Sequence, residues 1–144
     1  MSESPRRRAR ELALQALYAF EVAENEPQDI LDRVIVDDTL SPRNLEFART
    51  LAILVHRHAS WADGQISLLA KNWDLGRIAD LDRIILRMAL VEIKEMPDTP
   101  VKVAINEAIE LAKRFSTAES SAFINGILDH YVKDVAAASK RAEE

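Results

Sequence analysis

Cysteine is absent from the 144 residues, which excludes disulfides, thiolate metal sites and a cysteine nucleophile. A reducing compartment suits such a chain, and the cytoplasm is the expected location. Glycine occurs only three times, so there is no glycine-rich loop to cradle a phosphate, and no segment alternates polar and apolar residues as a half-buried strand would. No apolar run approaches the roughly 18 residues of a membrane span, and the basic N-terminus leads into a glutamate-containing amphipathic stretch unlike a signal peptide. His56, His58 and His130 lack the i,i+4 spacing of a helical metal pair. HExxH and serine-elbow motifs are missing, and Glu107 and Glu110 stand one turn apart with nothing nearby to raise either pKa. Neither an enzyme nor a bound cofactor or metal is expected.

What the chain does have is helical periodicity and an uneven charge. Residues 1–10 carry Arg6, Arg7, Arg8 and Arg10 against Glu3, a net +3, so the remainder must hold −8 to give the overall −5. An acidic body repels phosphate, yet a local arginine cluster can hold a short strand. A solvated, frayed terminus explains the same residues equally well.

Spacings of three and four recur throughout, so the fold is expected to be all-α, with about seven helices in two small packed bundles. The first helix is expected from near Pro5 to about Glu24 and a short second one over Gln28 to Val36. Ser41-Pro42 is a cap and first-turn signature opening a third, with a break near His58 to Ser60 and a fourth over Trp61 to Trp73. Gly76 punctuates before a helix starting near Asp80 and ended by Pro97. Thr99-Pro100 repeats the cap signature ahead of VKVAINEAIELAKRF, and the last helix begins around Thr117 to Ser120 and reaches about Val135. Approximate subdomains are 1–60 and 61–135, with residues 136–144 as a frayed tail.

The helix Leu81 to Met96 is apolar around most of its circumference and belongs in the middle of the structure, leaving Arg83, Arg87 and Lys94 as a solvated edge. On the first helix Ala9, Leu12, Ala13, Ala16, Leu17 and Phe20 form the core stripe. Tyr18 falls almost opposite, in line with Arg7, Glu11 and Leu14. Either a second layer of helices covers it or the ring is an open platform for base stacking, beside arginines that bind phosphate. The helix Val101 to Phe115 buries Val101, Ala104, Ile105, Ala108, Leu111, Ala112 and Phe115 and turns a polar face outward. On the last helix Ile124, Ile127, Leu128, Tyr131 and Val135 form the core stripe, and Phe123 sits at its edge, core or rim.

In order, RRRARELALQALYAF, NWDLGRIADLDRIILRMALVEI, VKVAINEAIELAKRF and AFINGILDHY resemble the NusB family of transcription antitermination proteins. The match covers nearly the whole chain, Glu24 to Arg43 excepted. The resemblance implies two helical bundles and a protein that pairs with the small-subunit ribosomal protein acting as NusE. The pair would bind the single-stranded boxA element of nascent RNA, notably ribosomal RNA, within an RNA polymerase antitermination complex.

By the same resemblance the RNA surface would include Arg6, Arg7, Arg8, Arg10, Tyr18 and Phe123, with Lys102 nearby. NusE would meet Asp82 at the start of the central helix, and Glu92 is a further candidate. Two departures stand out: Ser116 and Thr117 follow AKRF where the family commonly has glycine, and Ala122 replaces a frequent lysine. Glu119 keeps an acidic residue where repulsion would tune RNA affinity. NusB-like domains also occur fused to RNA cytosine methyltransferases, and the length of this chain argues against that arrangement. The rival reading is a helical protein–protein adaptor whose basic face binds a partner or a second copy of the chain, and a homodimer is compatible with either.

Overall fold

The computed structural model describes residues 4–23, 25–70 and 78–143, with side chains as far as Ala138. Among these residues the chain forms seven α-helices and no strand: α1 (Pro5–Val22), α2 (Pro27–Val34), α3 (Pro42–Arg57), α4 (Ala59–Leu69), α5 (Asp80–Glu95), α6 (Val101–Phe115) and α7 (Ala118–Glu143). The expected ends at Glu24 and Trp73, the punctuating Gly76 and the NWDLGR part of the family-like segment lie outside the described residues.

Local chemistry accounts for most boundaries. Proline occupies the first turn of α1, α2 and α3, where its missing N–H has no intrahelical partner to lose. Ser41 caps α3 as expected, its Oγ accepting from the Asn44 N–H at 3.2 Å. The break after α3 is a single residue, His58, and α4 begins two residues before Trp61. At α6 the expected cap is displaced: Pro100 itself is the N-cap, and Thr99 instead donates its N–H to the Met96 carbonyl in the preceding turn. Thr117 caps α7, accepting from the Ser120 N–H at 3.1 Å. The Ser116-Thr117 departure from glycine is accommodated without strain, because Ser116 has φ −131° and no described residue has positive φ. The last helix also continues to Glu143 instead of fraying after Val135.

One group of contacts joins α1 to α2 and α3; a second joins α4, α5, α6 and α7. The central helix α5 belongs to both, packing on α1 and α3 as well as on its own group. Its expected place in the middle follows from burial of Ile84, Ile85, Leu86, Met88, Ala89, Leu90 and Val91. Burying a side chain of the size of Leu or Ile contributes about 1.5–3 kcal/mol, so this one helix anchors much of the core.

The core stripe of α1 is buried from Ala9 to Leu17, with Phe20 half-buried, but Glu11 and Leu14 on the opposite side are buried too. On two other helices burial falls short of expectation: Val101 is 38% exposed and Val135 45% exposed. Val101 is the first residue of α6, whereas Val135 lies within α7, eight residues before its end. The supposed solvated edge of α5 is likewise partly engaged. Arg87 donates to both carboxylate oxygens of Asp63 on α4 (2.7 and 2.8 Å) and to Glu21 on α1 (2.7 Å), which hold its guanidinium firmly charged. Lys94 lies over the Trp61 ring at 4.4 Å.

Candidate nucleic-acid interface

The arginine run is ordered helix, and its side chains diverge because successive residues rotate by about 100° around the axis. Arg10 turns inward. It is 4% exposed and donates from Nε (3.0 Å) and Nη2 (2.5 Å) to the two carboxylate oxygens of Glu92, itself 2% exposed on α5. Neither residue presents its charge to solvent. The expected roles of Arg10 on RNA and Glu92 on a partner protein are therefore corrected to a buried tie between α1 and α5.

The next two arginines stay near the surface but are held. Arg7 donates from Nε (3.0 Å) and Nη2 (3.1 Å) to Glu107 on α6. That hydrogen bonding raises its pKa. Arg8 donates to Asp37 (2.9 Å), in the segment after α2, and to Glu11 (3.1 Å). Asp37 also accepts from the Thr39 hydroxyl and backbone N–H, and these bonds, with Arg8, lower its pKa to about 2. Glu11 is 1% exposed, and Arg114 on α6 donates to its other oxygen at 2.8 Å. Two guanidinium groups supply hydrogen bonds to this buried carboxylate, which explains how the second face of α1 can be covered.

Arg6 differs from its neighbours. Its guanidinium lies 4.0 Å from the centre of the Phe47 ring on α3 and makes no ion pair with any described carboxylate. Burial lowers its pKa, and the nearby charges of Arg10 and Arg43 lower it further.

Tyr18 emerges where the cover over α1 ends. Its ring is 42% exposed, and it makes no hydrogen bond with a described residue. Of the two explanations open from the helix alone, the exposed ring is the one observed. Phe123 is half-buried, packed against the core from the rim of α7. Lys102 is exposed in the first turn of α6, the helix that holds Arg7 through Glu107. Asp82 is 6% exposed at the start of α5; Oδ2 accepts from the Ser120 hydroxyl at 2.6 Å, while Oδ1 is buried without a hydrogen-bond partner. Ser120 stands one turn before Phe123, so this bond fixes the start of the helix that carries the ring.

Residues 7–133 match the model of the NusB family. The chain belongs to the NusB family. Among curated relatives, the transcription antitermination protein NusB of Dehalococcoides mccartyi strain CBDB1 is 40% identical over 139 residues, covering 96% of this chain and 97% of the relative. NusB of T. maritima superposes with a TM-score of 0.80 at 35% identity, over 92% of this chain and 93% of that one. A chain from a crystal structure of antitermination factors NusB and NusE in complex with double-stranded RNA superposes with a TM-score of 0.75 over 90% of this chain and 97% of that one. At 20% identity, that likeness concerns the fold.

Sequence reasoning missed the carboxylates that hold the NusB-like arginine run. Glu107 lies in the VAINEA segment and shares the polar face of α6 with Lys102, but no sequence pattern joins it to Arg7, which is 100 positions away. Phe47 was equally silent, since an apolar residue in a helix reads as core whether or not an arginine lies across it.

Proposed function

We propose that this chain is a transcription antitermination factor that binds the boxA element of nascent RNA, notably ribosomal RNA, together with the ribosomal protein acting as NusE. Work on nascent transcripts would put it in the cytoplasm. Family membership supports the general role. The observation that carries the RNA contact is Tyr18, an exposed ring on the helix that bears the arginine run. Base stacking on such a ring contributes about 1–3 kcal/mol and tolerates any base, so sequence preference must come from neighbouring hydrogen bonds.

In this reading Arg6, Arg7 and Arg8 meet phosphates, Lys102 adds a cation from α6, and Phe123 offers a second ring. Arg10 contributes by holding α1 against α5. Three to four neutralised phosphates on a single strand give a log–log salt slope of about −2 to −3. Phosphate must also displace Glu107 from Arg7 and Asp37 from Arg8, so the free protein binds RNA modestly. NusE raises the affinity by adding contacts; Asp82, buried at the start of α5, acts in this reading by holding the start of α7 through Ser120 and not by meeting NusE itself.

Fluorescence anisotropy tests the reading with a boxA oligonucleotide and a scrambled one, with and without NusE, at two salt concentrations. Preference for boxA that grows with NusE and weakens with salt is expected. Equal or absent binding to both RNAs in the presence of active NusE would leave the adaptor function instead. Sedimentation over a concentration series, with and without boxA, would then show whether the partner is a second copy.

A further inference from the structure

A cleft of about 620 Å³ opens between the start of α1, the start of α3 and the segment joining α5 to α6. Such a volume falls within the range of about 300–1,000 Å³ usual for small-molecule sites. The charges around it are unequal in their freedom. Arg10 is neutralised by Glu92 and Glu107 by Arg7, and Glu95 has His58 Nε2 at 3.7 Å. Arg6 and Arg43 remain as cations and Asp98 as an anion, all three lining the cleft, and neither arginine is bonded to a described carboxylate. The arginines lie close enough for the charge of Arg43 to disfavour protonation of Arg6. Arg6 lies over the Phe47 ring and Arg43 lines the same cleft, and the repulsion between their guanidinium groups is relieved when an anion joins them.

The geometry points to a phosphate-binding site at Arg6 and Arg43, in which the cleft takes one nucleotide unit of the bound RNA and Arg43 is an additional RNA-contacting residue. Arg6 is prepared for this by its stack on Phe47, which limits the side-chain entropy lost on binding. Arg43 is exposed on α3 and reaches the same cleft from a different helix. Asp98 and Glu95, from the end of α5 and the segment after it, also line the cleft. Their charges repel a second phosphate and favour donors such as the amino groups of a base, so the nucleotide is oriented with its phosphate at the arginines. The inference rests on the RNA-binding reading, but the phosphate chemistry could equally serve a free nucleotide.

The test compares the parent with Arg43→Ala and Arg57→Ala. Arg57 is an exposed residue on the same helix, fourteen positions on and therefore about 21 Å away. Binding of boxA RNA with NusE is measured across a salt series, and 5′-AMP is titrated while the arginine Nε–H resonances are followed by NMR. Arg43→Ala is expected to bind RNA several-fold more weakly at low salt, with the salt slope reduced by about 0.7, while Arg57→Ala matches the parent. Equal weakening by both substitutions would mean a general field effect and overturn the site.

Unchanged RNA binding by Arg43→Ala, while Tyr18→Ala binds more weakly, would leave the RNA function intact and overturn the cleft's part in it. If AMP nevertheless shifted the Arg6 and Arg43 resonances, the occupant would be a free nucleotide. If the parent bound no RNA at all, the RNA reading would fail on its own; AMP shifts at both arginines would then support the phosphate site, and their absence would overturn it.

Discussion

Arg7 and Arg10 stand three residues apart on one helix, and each grips a glutamate with two hydrogen bonds, yet the two pairs do different work. Arg10–Glu92 is sealed between α1 and α5, with both side chains at most 4% exposed; in Arg7–Glu107 the arginine is 37% exposed. In the interior water cannot replace a lost partner, so the pair acts as a structural unit. At the surface water and phosphate compete with Glu107 for Arg7, so the pair can open. The same ion pair is thus a fastener in one place and an exchangeable contact in the other.

The largest expected effect lies on the buried side. Arg10→Ala or Glu92→Ala strands an unpaired charge and should cost about 3–5 kcal/mol, read as a lower urea midpoint. Replacing both at once, Arg10→Met with Glu92→Leu, should restore most of that stability. A double variant no more stable than the singles would contradict the assignment of the cost to stranded charge.

Next comes Tyr18→Ala, which removes an exposed ring and should leave the urea midpoint within about 0.5 kcal/mol of the parent. Its boxA affinity should fall by about 1–3 kcal/mol, roughly 5- to 150-fold. An unchanged affinity would remove the stacking contact from the mechanism.

Glu107→Gln sharpens the contrast with Glu92. An exposed pair is worth only about 0–1 kcal/mol, so stability should hardly change. Freed of its carboxylate, Arg7 should bind RNA several-fold more tightly at low salt. Weaker RNA binding would show that Glu107 orients Arg7 productively instead of competing for it.

The smallest effect concerns Asp37. Its folded pKa of about 2 lies below its ordinary value of 3.8, so its contribution to stability is complete above about pH 4 and lost as pH falls through about 2. Its carboxyl resonance should titrate near 2 by NMR, and Arg8→Ala should raise that midpoint. A midpoint unaffected by the substitution would leave Thr39 as the only influence.

Helix positions and facing were legible locally because a period near 3.6, a Ser-Pro start and the scarcity of glycine act over a few residues. Boundaries moved by a few residues, as at Ala59 and Pro100, and α7 ran on past Val135 to Glu143. The burial of α5 was equally legible, because an all-round apolar helix has no other stable place. The exposed Tyr18 was half-legible: its direction followed from the helix, its freedom from what the other helices failed to cover.

By itself, then, the sequence determined the all-α class, the core faces, the family and which residue types could meet RNA. Only the tertiary structure decided which arginines are free to do so. Four neighbouring arginines look alike along the chain, but a turn of 100° per residue sends them toward Phe47, Glu107, Asp37 and Glu92. Those partners come from distant parts of the chain, and local periodicity carries no record of what folding will bring opposite each side chain.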